Sequence, residues 1–405
     1  MSVNYFHPLF AVYLAVLPLV TAMFANTVVS QVYLAGALVL SALLVCDRVL
    51  MRTLPRWAFT LLLAGFLVLL SYGTIVACSS YDVASLLLSA EYWKVLGRLS
   101  IMPMVVCGTS LIDWSRRCVY LTVSVSATVL LSAFSAIHIS QGMTTGQVAL
   151  GMHSNFLGFM GFLFISFALA YSQYGLKGLP IYAMAMSGLL ACLSSVSRSS
   201  YLCVMVALII FAVYRHLRIR PVVALPLIVF AVVVLLVFTF SWPEFTESRL
   251  AERINVQSEM YLGKAIDTGR AKMWRDARQV FELHPWTGIG TAAGESWTRR
   301  LENGETITLS VHNYYYAVLH EAGILGLSIV VFYILLIASI LSLGTESGVM
   351  ASGIAFLVAV LVHQSVEVSL TTGSFILGIG MWSFLGAAIS LSRKAPSVKI
   401  SEKYV

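Results

Sequence analysis

Apolar residues run along most of this chain in blocks separated by short polar hinges, and one long polar segment interrupts the pattern. A helix needs about 20 mostly apolar residues to cross a bilayer. Blocks of that kind lie near 8–25, 31–46, 57–78, 97–112, 118–137, 155–174, 180–196, 199–214, 222–240, 314–343, 349–368 and 372–391. The pattern predicts an all-α polytopic membrane protein of about twelve transmembrane helices. It divides the chain into a bundle over 1–240, a polar loop over 241–311 and a second set of spans with a short basic tail over 312–405. Inside the loop, Met273, Trp274, Ala277, Val280 and Phe281 recur at helical spacing, which predicts an amphipathic helix near 271–283. Asp267 or Thr268 is placed to cap it, and His284-Pro285 to end it.

Composition agrees with a bilayer as solvent. Hydrophobic residues make up 59% of the chain and charged residues 11%, against roughly 25% charged in an average soluble domain. An ordinary soluble enzyme, a disordered chain and a nucleic-acid binder are excluded. The formal charge of +7 follows from topology. Thirteen Lys and Arg, from Arg48 to Lys403, fall on one set of short loops and tails, and three (Lys94, Arg98, Arg198) on the other. The basic side is cytoplasmic, so both termini are expected inside and the 241–311 loop outside. That loop holds nine basic and ten acidic residues, and long loops cross regardless of charge. No Lys or Arg precedes Arg48, so the first apolar block reads as a retained span rather than a cleaved leader. The six cysteines lie in or beside apolar runs without a CxxC, which argues against a disulfide framework or a thiolate metal site.

Charged groups at membrane depth are costly and read as functional. Arg198 sits among Ser194, Ser195, Ser197, Ser199 and Ser200, between two apolar blocks at the outer boundary. Guanidinium, hydroxyls and backbone N–H groups together suit an anion; the alternative is an arginine snorkelling to the interface. Arg270 opens the loop helix, where the helix dipole disfavours a cation and an anion would relieve the conflict. Trp274, one turn on, can stack on it; the alternative is a surface pair with Asp267 or Asp276. His312 and Asn313 begin the tenth block where the loop re-enters the membrane. A neutral imidazole there suits general-base work, and Tyr316 and His320 follow on the same helical face, with Glu321 roughly opposite. Weaker candidates are Lys94 and Arg98 (phosphate or headgroup contacts), Asn155 with His153 and Ser154 (sugar hydroxyls or a helix cap), and His363 with Glu367 (a buried polar pair or part of a relay). Tyr314, Tyr315 and Tyr316 read as a membrane-interface belt. No HExxH, outer-loop DxD, EF-hand or P-loop pattern occurs, so neither metal nor nucleotide is expected, and the cofactor expectation is none.

Three motifs, in order, resemble the O-antigen ligase and polymerase superfamily of bacterial envelope proteins. They are Ser197-Arg198-Ser199-Ser200-Tyr201; Gly269-Arg270-Ala271-Lys272-Met273-Trp274, leading to His284-Pro285-Trp286-Thr287-Gly288-Ile289-Gly290; and His312-Asn313, leading to Glu321-Ala322-Gly323-Ile324-Leu325-Gly326. The resemblance covers about residues 150–330 and is most like the ligases. It implies an inner-membrane enzyme with a periplasmic site. Its donor would be an undecaprenyl-diphosphate-linked glycan and its acceptor a sugar of the lipid A-core. Transfer would need no metal and no ATP. Arg198 and Arg270 would hold the diphosphate, and His312 would take the acceptor proton, with inversion at the anomeric carbon. The polyprenyl tail would lie in the bilayer, with the loop helix as a roof, Trp274 and Phe281 facing down.

Two other readings remain open. An O-antigen polymerase of the same superfamily would extend lipid-linked chains. A transporter of a lipid-linked anion would also suit twelve spans, although transporters often carry related halves and midplane sites, and no internal repeat is evident here. A protein O-oligosaccharyltransferase is less expected, since only a short basic tail, Arg393 to Val405, follows the last block.

Overall fold

The computed structural model describes residues 6–24, 28–79, 90–142, 153–216, 224–246, 270–290, 296–300, 306–310, 312–366 and 375–393, with a few positions between 248 and 257. Helices dominate. They are α1 Phe6–Ala15, α2 Leu17–Phe24, α3 Val28–Leu50, α4 Arg56–Cys78, α5 Ala90–Ser110, α6 Arg117–Ser140, α7 Ser154–Gln173, α8 Leu179–Ser195, α9 Arg198–His216, α10 Ala224–Thr246, α11 Arg270–Leu283, α12 Tyr314–Ser342, α13 Ser347–Gln364 and α14 Phe375–Arg393. One antiparallel hairpin, β1 Ser296–Arg300 with β2 Thr306–Ser310, pairs Ser296 with Ser310 and Arg300 with Thr306. It leaves the class all-helical.

Among the described residues, six helices are long and apolar enough to cross a bilayer: α4, α6, α7, α9, α12 and α13. Shorter apolar helices run over Val95–Ser110, Leu179–Ser195 and Ile228–Trp242. The expected count of twelve is therefore met in half by this measure. The first expected span, for example, is two short helices that meet at Val16.

Burial sorts the helices by position. The apolar stretches of α7 and α13 are 78% and 83% buried within the protein, those of α4 and α9 only 33% and 22%. The first pair forms the centre, and the second lies at the rim with apolar faces turned outward, as at Phe59 and Phe66 on α4 and Met205 and Ile209 on α9. Water would not tolerate such stripes; hydrocarbon does. Without a hydrophobic drive between helices, membrane bundles rely on close backbone approach. Between α7 and α8 that approach needs glycine: a Cβ at Gly161 would stand 2.4 Å from the Gly188 carbonyl oxygen.

Candidate functional site

Four segments meet at one end of the bundle. Cys203, near the start of α9, donates to the Ala359 carbonyl near the end of α13 (3.5 Å). The ring of His363, the last residue but one of α13, lies 4.6 Å from Phe159, near the start of α7. Asn313 joins the start of α12 to them: its amide nitrogen donates to the Ser365 carbonyl (2.8 Å) and to Thr239 Oγ1 on α10 (3.5 Å). The loop helix α11 is held over the same end by Trp274, whose ring lies 6.1 Å from Tyr316.

The turn between α8 and α9 carries Arg198. Val196 adopts a left-handed backbone (φ 51°, ψ 26°), unusual for a β-branched residue. Its cost is offset by serine hydroxyls. The Ser197 N–H donates to Ser195 Oγ (3.2 Å), the Ser200 N–H to Ser197 Oγ (3.4 Å), and Ser200 Oγ to Ser197 Oγ (3.1 Å). Ser197 thus caps α9. Ser195, Ser197 and Ser200 are buried, so their hydroxyls serve the turn itself rather than adding donors around the guanidinium. Gly158 on α7 lets the turn pack in: a Cβ there would meet Ser195 and Ser200 Oγ at 2.4 and 2.5 Å. Arg198, the first residue of α9, is exposed.

His312 is also exposed and left-handed (φ 41°), and it precedes α12 rather than belonging to it. Asn313 is the N-cap, its side-chain oxygen accepting from the Tyr316 N–H (3.2 Å). The helical period therefore does not extend back to His312, and the shared face with Tyr316 and His320 is not formed. Asn313 is wholly buried. The belt reading of the three tyrosines is also corrected. Tyr314, Tyr315 and Tyr316 are at most 2% exposed. Tyr315 donates to the Leu361 carbonyl (2.9 Å) and Tyr316 to that of Thr239 (3.5 Å). They lock α12 to α13 and α10.

On α11, Trp274 and Ala277 are buried against Tyr316, with Phe240, Trp242, Met273 and Ile289 around them. Phe281 packs on Phe240 at 5.7 Å. Arg278 pairs with Glu282 (2.9 Å) and with Glu244 on α10. Those carboxylates, Glu282 first, hold the guanidinium above its ordinary pKa. Arg270 is the first residue of α11, but its side chain lies outside the described residues, as do those of Lys94 and Arg98 on α5. The predicted caps Asp267 and Thr268, and Glu367, lie outside them too. His153 caps α7, its Nδ1 accepting from the Asn155 N–H (3.2 Å). Asn155 is half-buried in that first turn.

One arrangement escaped sequence reasoning. At Gly323 the backbone of α12 leaves the helix (φ 62°, ψ −162°). In an unbroken helix the Ile324 and Leu325 N–H groups would donate to His320 and Glu321. Here they donate to Pro285 (2.9 Å) and Trp286 (3.2 Å), while Ile289 and Gly290 donate to the His320 (2.8 Å) and Glu321 (3.1 Å) carbonyls. The segment after α11 is inserted into the hydrogen-bond ladder of α12. Two helix bonds become four, so the Ile324 and Leu325 N–H groups and the His320 and Glu321 carbonyls all keep backbone partners. Ser79, at the end of α4, donates to the Thr287 carbonyl (2.7 Å), and Tyr72 of α4 donates to Glu321 Oε2 (2.9 Å). Glycines at 288 and 323 were the available signal. A Cβ at Gly288 would meet the His320 oxygen at 2.5 Å, and one at Gly323 the Trp286 carbonyl at 2.3 Å.

Beside this insertion a cavity of about 540 Å³ opens between α10 and α12, under Phe281. Its walls are almost wholly apolar, including Leu236, Phe240, Leu319, Ile324 and Leu327. Leu283 and Trp286, both well exposed, follow Phe281 closely in sequence.

Residues 181–331 match a family model described as O-Antigen ligase. The match supports membership of the O-antigen ligase and polymerase superfamily. It runs from the start of α8 through the break in α12 and contains all three sequence motifs. No curated protein matches the chain. The family and the six apolar helices together support a bacterial membrane enzyme of the O-antigen ligase or polymerase class, acting on lipid-linked glycan.

Proposed function

We propose that the protein is an O-antigen ligase. It transfers a glycan from undecaprenyl diphosphate to a sugar of the lipid A-core at the periplasmic face of the inner membrane. The observation that carries this reading is the joining of the matched motifs at one end of the bundle, next to an apolar cavity. That cavity suits a polyprenyl tail, and the basic first residues of α9 and α11 suit the diphosphate.

In the reaction the acceptor hydroxyl oxygen attacks the anomeric carbon from the face opposite the diphosphate. The new glycosidic bond forms as the bond to the leaving phosphate oxygen breaks, giving inversion. His312 takes the hydroxyl proton, and its exposure suits a residue that must meet an incoming acceptor. Arg198 and Arg270 stabilise the charge that builds on the departing diphosphate, the task a metal ion performs in other transferases. Asn313 serves as a positioning residue, since its buried clamp fixes the backbone on which His312 stands.

The test is a transfer assay with purified protein, an undecaprenyl-diphosphate-linked glycan and EDTA, without nucleotide, and with lipid A-core added or omitted. Product on lipid A-core that falls by about 100-fold or more in His312→Ala supports the ligase with its base. Longer lipid-linked chains without lipid A-core would make it a polymerase. Intact donor in every case would favour a transporter of a lipid-linked anion.

A further inference from the structure

A second cavity, lined by charged residues, lies at the opposite end of the bundle. Helix α4 runs from Arg56, beside this cavity, to Ser79, beside the inserted segment, so the two sites are separated by its length. The cavity measures about 250 Å³. Arg48 at the end of α3, Arg116 before α6 and Arg393 at the end of α14 all line it. Among the described residues Asp113 is the only acid that lines it, and it already pairs with Arg116 (3.5 Å). Asp47, next to Arg48 on α3, does not line it. Three guanidiniums against one carboxylate leave a net positive hollow.

Three further features point the same way. Arg393 donates through Nη2 to the Ile340 carbonyl (2.8 Å) and stacks on Trp57 at 5.1 Å, which fixes its plane. Its Nε is buried without a hydrogen-bond partner among the described residues, and such atoms call for an explanation. The helices α4 and α6 both begin here, after Pro55 and Arg116, and neither has a side-chain cap or an acid in its first turn. Their dipoles add positive charge where basic residues already crowd. Two helix N-termini left without side-chain cap or acid, beside a guanidinium nitrogen buried without a partner among the described residues, form a site shaped for an anion. Topology alone needs basic residues at this end, but exposed ones such as Arg52, Arg56 and Arg117 meet that need without lining a cavity.

We propose that this cavity binds a phosphate ester, held by Arg48, Arg116 and Arg393. The ester is either the headgroup of an anionic phospholipid or a soluble phosphate compound. Ser110 and Ser390 line the same wall, though Ser110 Oγ already donates to the Cys107 carbonyl (2.6 Å) and Ser390 Oγ to that of Ile112 (2.6 Å). The arginines therefore carry the recognition. The site is independent of glycan transfer.

The experiment is thermal unfolding of the full chain in a neutral detergent. Phosphatidylglycerol, zwitterionic phosphatidylcholine and glycerol 1-phosphate are titrated separately. Stabilisation by phosphatidylglycerol alone identifies the lipid headgroup; stabilisation by glycerol 1-phosphate identifies a soluble ester; either supports the site. Arg48→Gln should weaken the apparent affinity about tenfold, a single charged contact's worth. Asp113→Asn should tighten it, an effect that loss of folding cannot imitate. Arg117→Gln, outside the cavity, should change nothing. No stabilisation by either phosphate ester overturns the proposal, and so does a response that Arg48→Gln and Asp113→Asn leave unchanged.

Discussion

The chain interrupts its apolar helices twice near the candidate site, and it fills the two interruptions with different materials. Between α8 and α9 the break is filled by side chains: Ser195, Ser197 and Ser200 supply the hydroxyls that the freed backbone needs. Inside α12 the break at Gly323 is filled by a distant backbone, the segment from Pro285 to Gly290. In the first, a valine tolerates a left-handed conformation because its neighbours satisfy the turn. In the second, glycine is obligatory, because backbone meets backbone with no room for a Cβ. A break filled by hydroxyls can lose one and persist. A break filled by a threaded segment should hold or fail as a unit.

The largest effect is expected at Gly323. A Gly323→Ala chain must adopt a backbone region nearly closed to other residues, at about 1–3 kcal/mol, and must push the Trp286 carbonyl away from 2.3 Å. The segment should leave the helix. Hydrogen exchange at the Ile289 and Gly290 amides, which donate to α12, should rise toward that of a free loop. Protection equal to that of the unaltered protein would show that the insertion does not depend on glycine. Gly288→Ala, at φ 67° and 2.5 Å from the His320 oxygen, should act in the same direction.

Next comes Tyr72→Phe. The hydroxyl donates to the buried Glu321 carboxyl, and leaving a buried acceptor without its donor costs about 1–3 kcal/mol. A double-mutant cycle with Glu321→Leu, which has no acceptor, reads the pair. If the two changes simply add, Tyr72 does not brace the break.

These two breaks also differ in how far they are legible in the sequence. Serines between apolar blocks mark the first, because polar residues stand out against apolar ones. The second lies inside Glu321-Ala322-Gly323-Ile324-Leu325-Gly326, which reads as the opening of one continuous span, and its filling comes from a segment before the hairpin. Pairing of one backbone with another leaves no side-chain pattern, only glycines. The apolar face of the loop helix was legible for the opposite reason: Trp274 and Ala277 are buried at the spacing that periodicity marks. The tyrosines at 314–316 misled because aromatic rings are as useful between helices as at headgroups, and composition does not separate the two.

Smaller effects belong to the first break. Ser197→Ala removes the cap of α9 at a cost of about 1 kcal/mol, since Ser195 and the Tyr201 hydroxyl, which donates to the Leu193 carbonyl (2.9 Å), still hold the turn. A loss as large as that at Gly323 would mean that this break, too, fails as a unit.

The last test asks whether glycine has opposite meanings at the two positions. Val196 is left-handed, which costs an L-residue about 1–2 kcal/mol. It is also 38% exposed, so little packing is lost with its side chain. Val196→Gly removes the strain but frees the unfolded chain, at about 0.5–1 kcal/mol. The difference is a net stabilisation of about 0.5 kcal/mol, readable as a small rise in the unfolding midpoint. The hydrogen bonds that hold the turn run among Ser195, Ser197 and Ser200, so they should hold a glycine at 196 as well. A clear fall in the midpoint would mean that the valine itself is needed to fix the turn, and that side chains fill this break by packing as well as by hydrogen bonding.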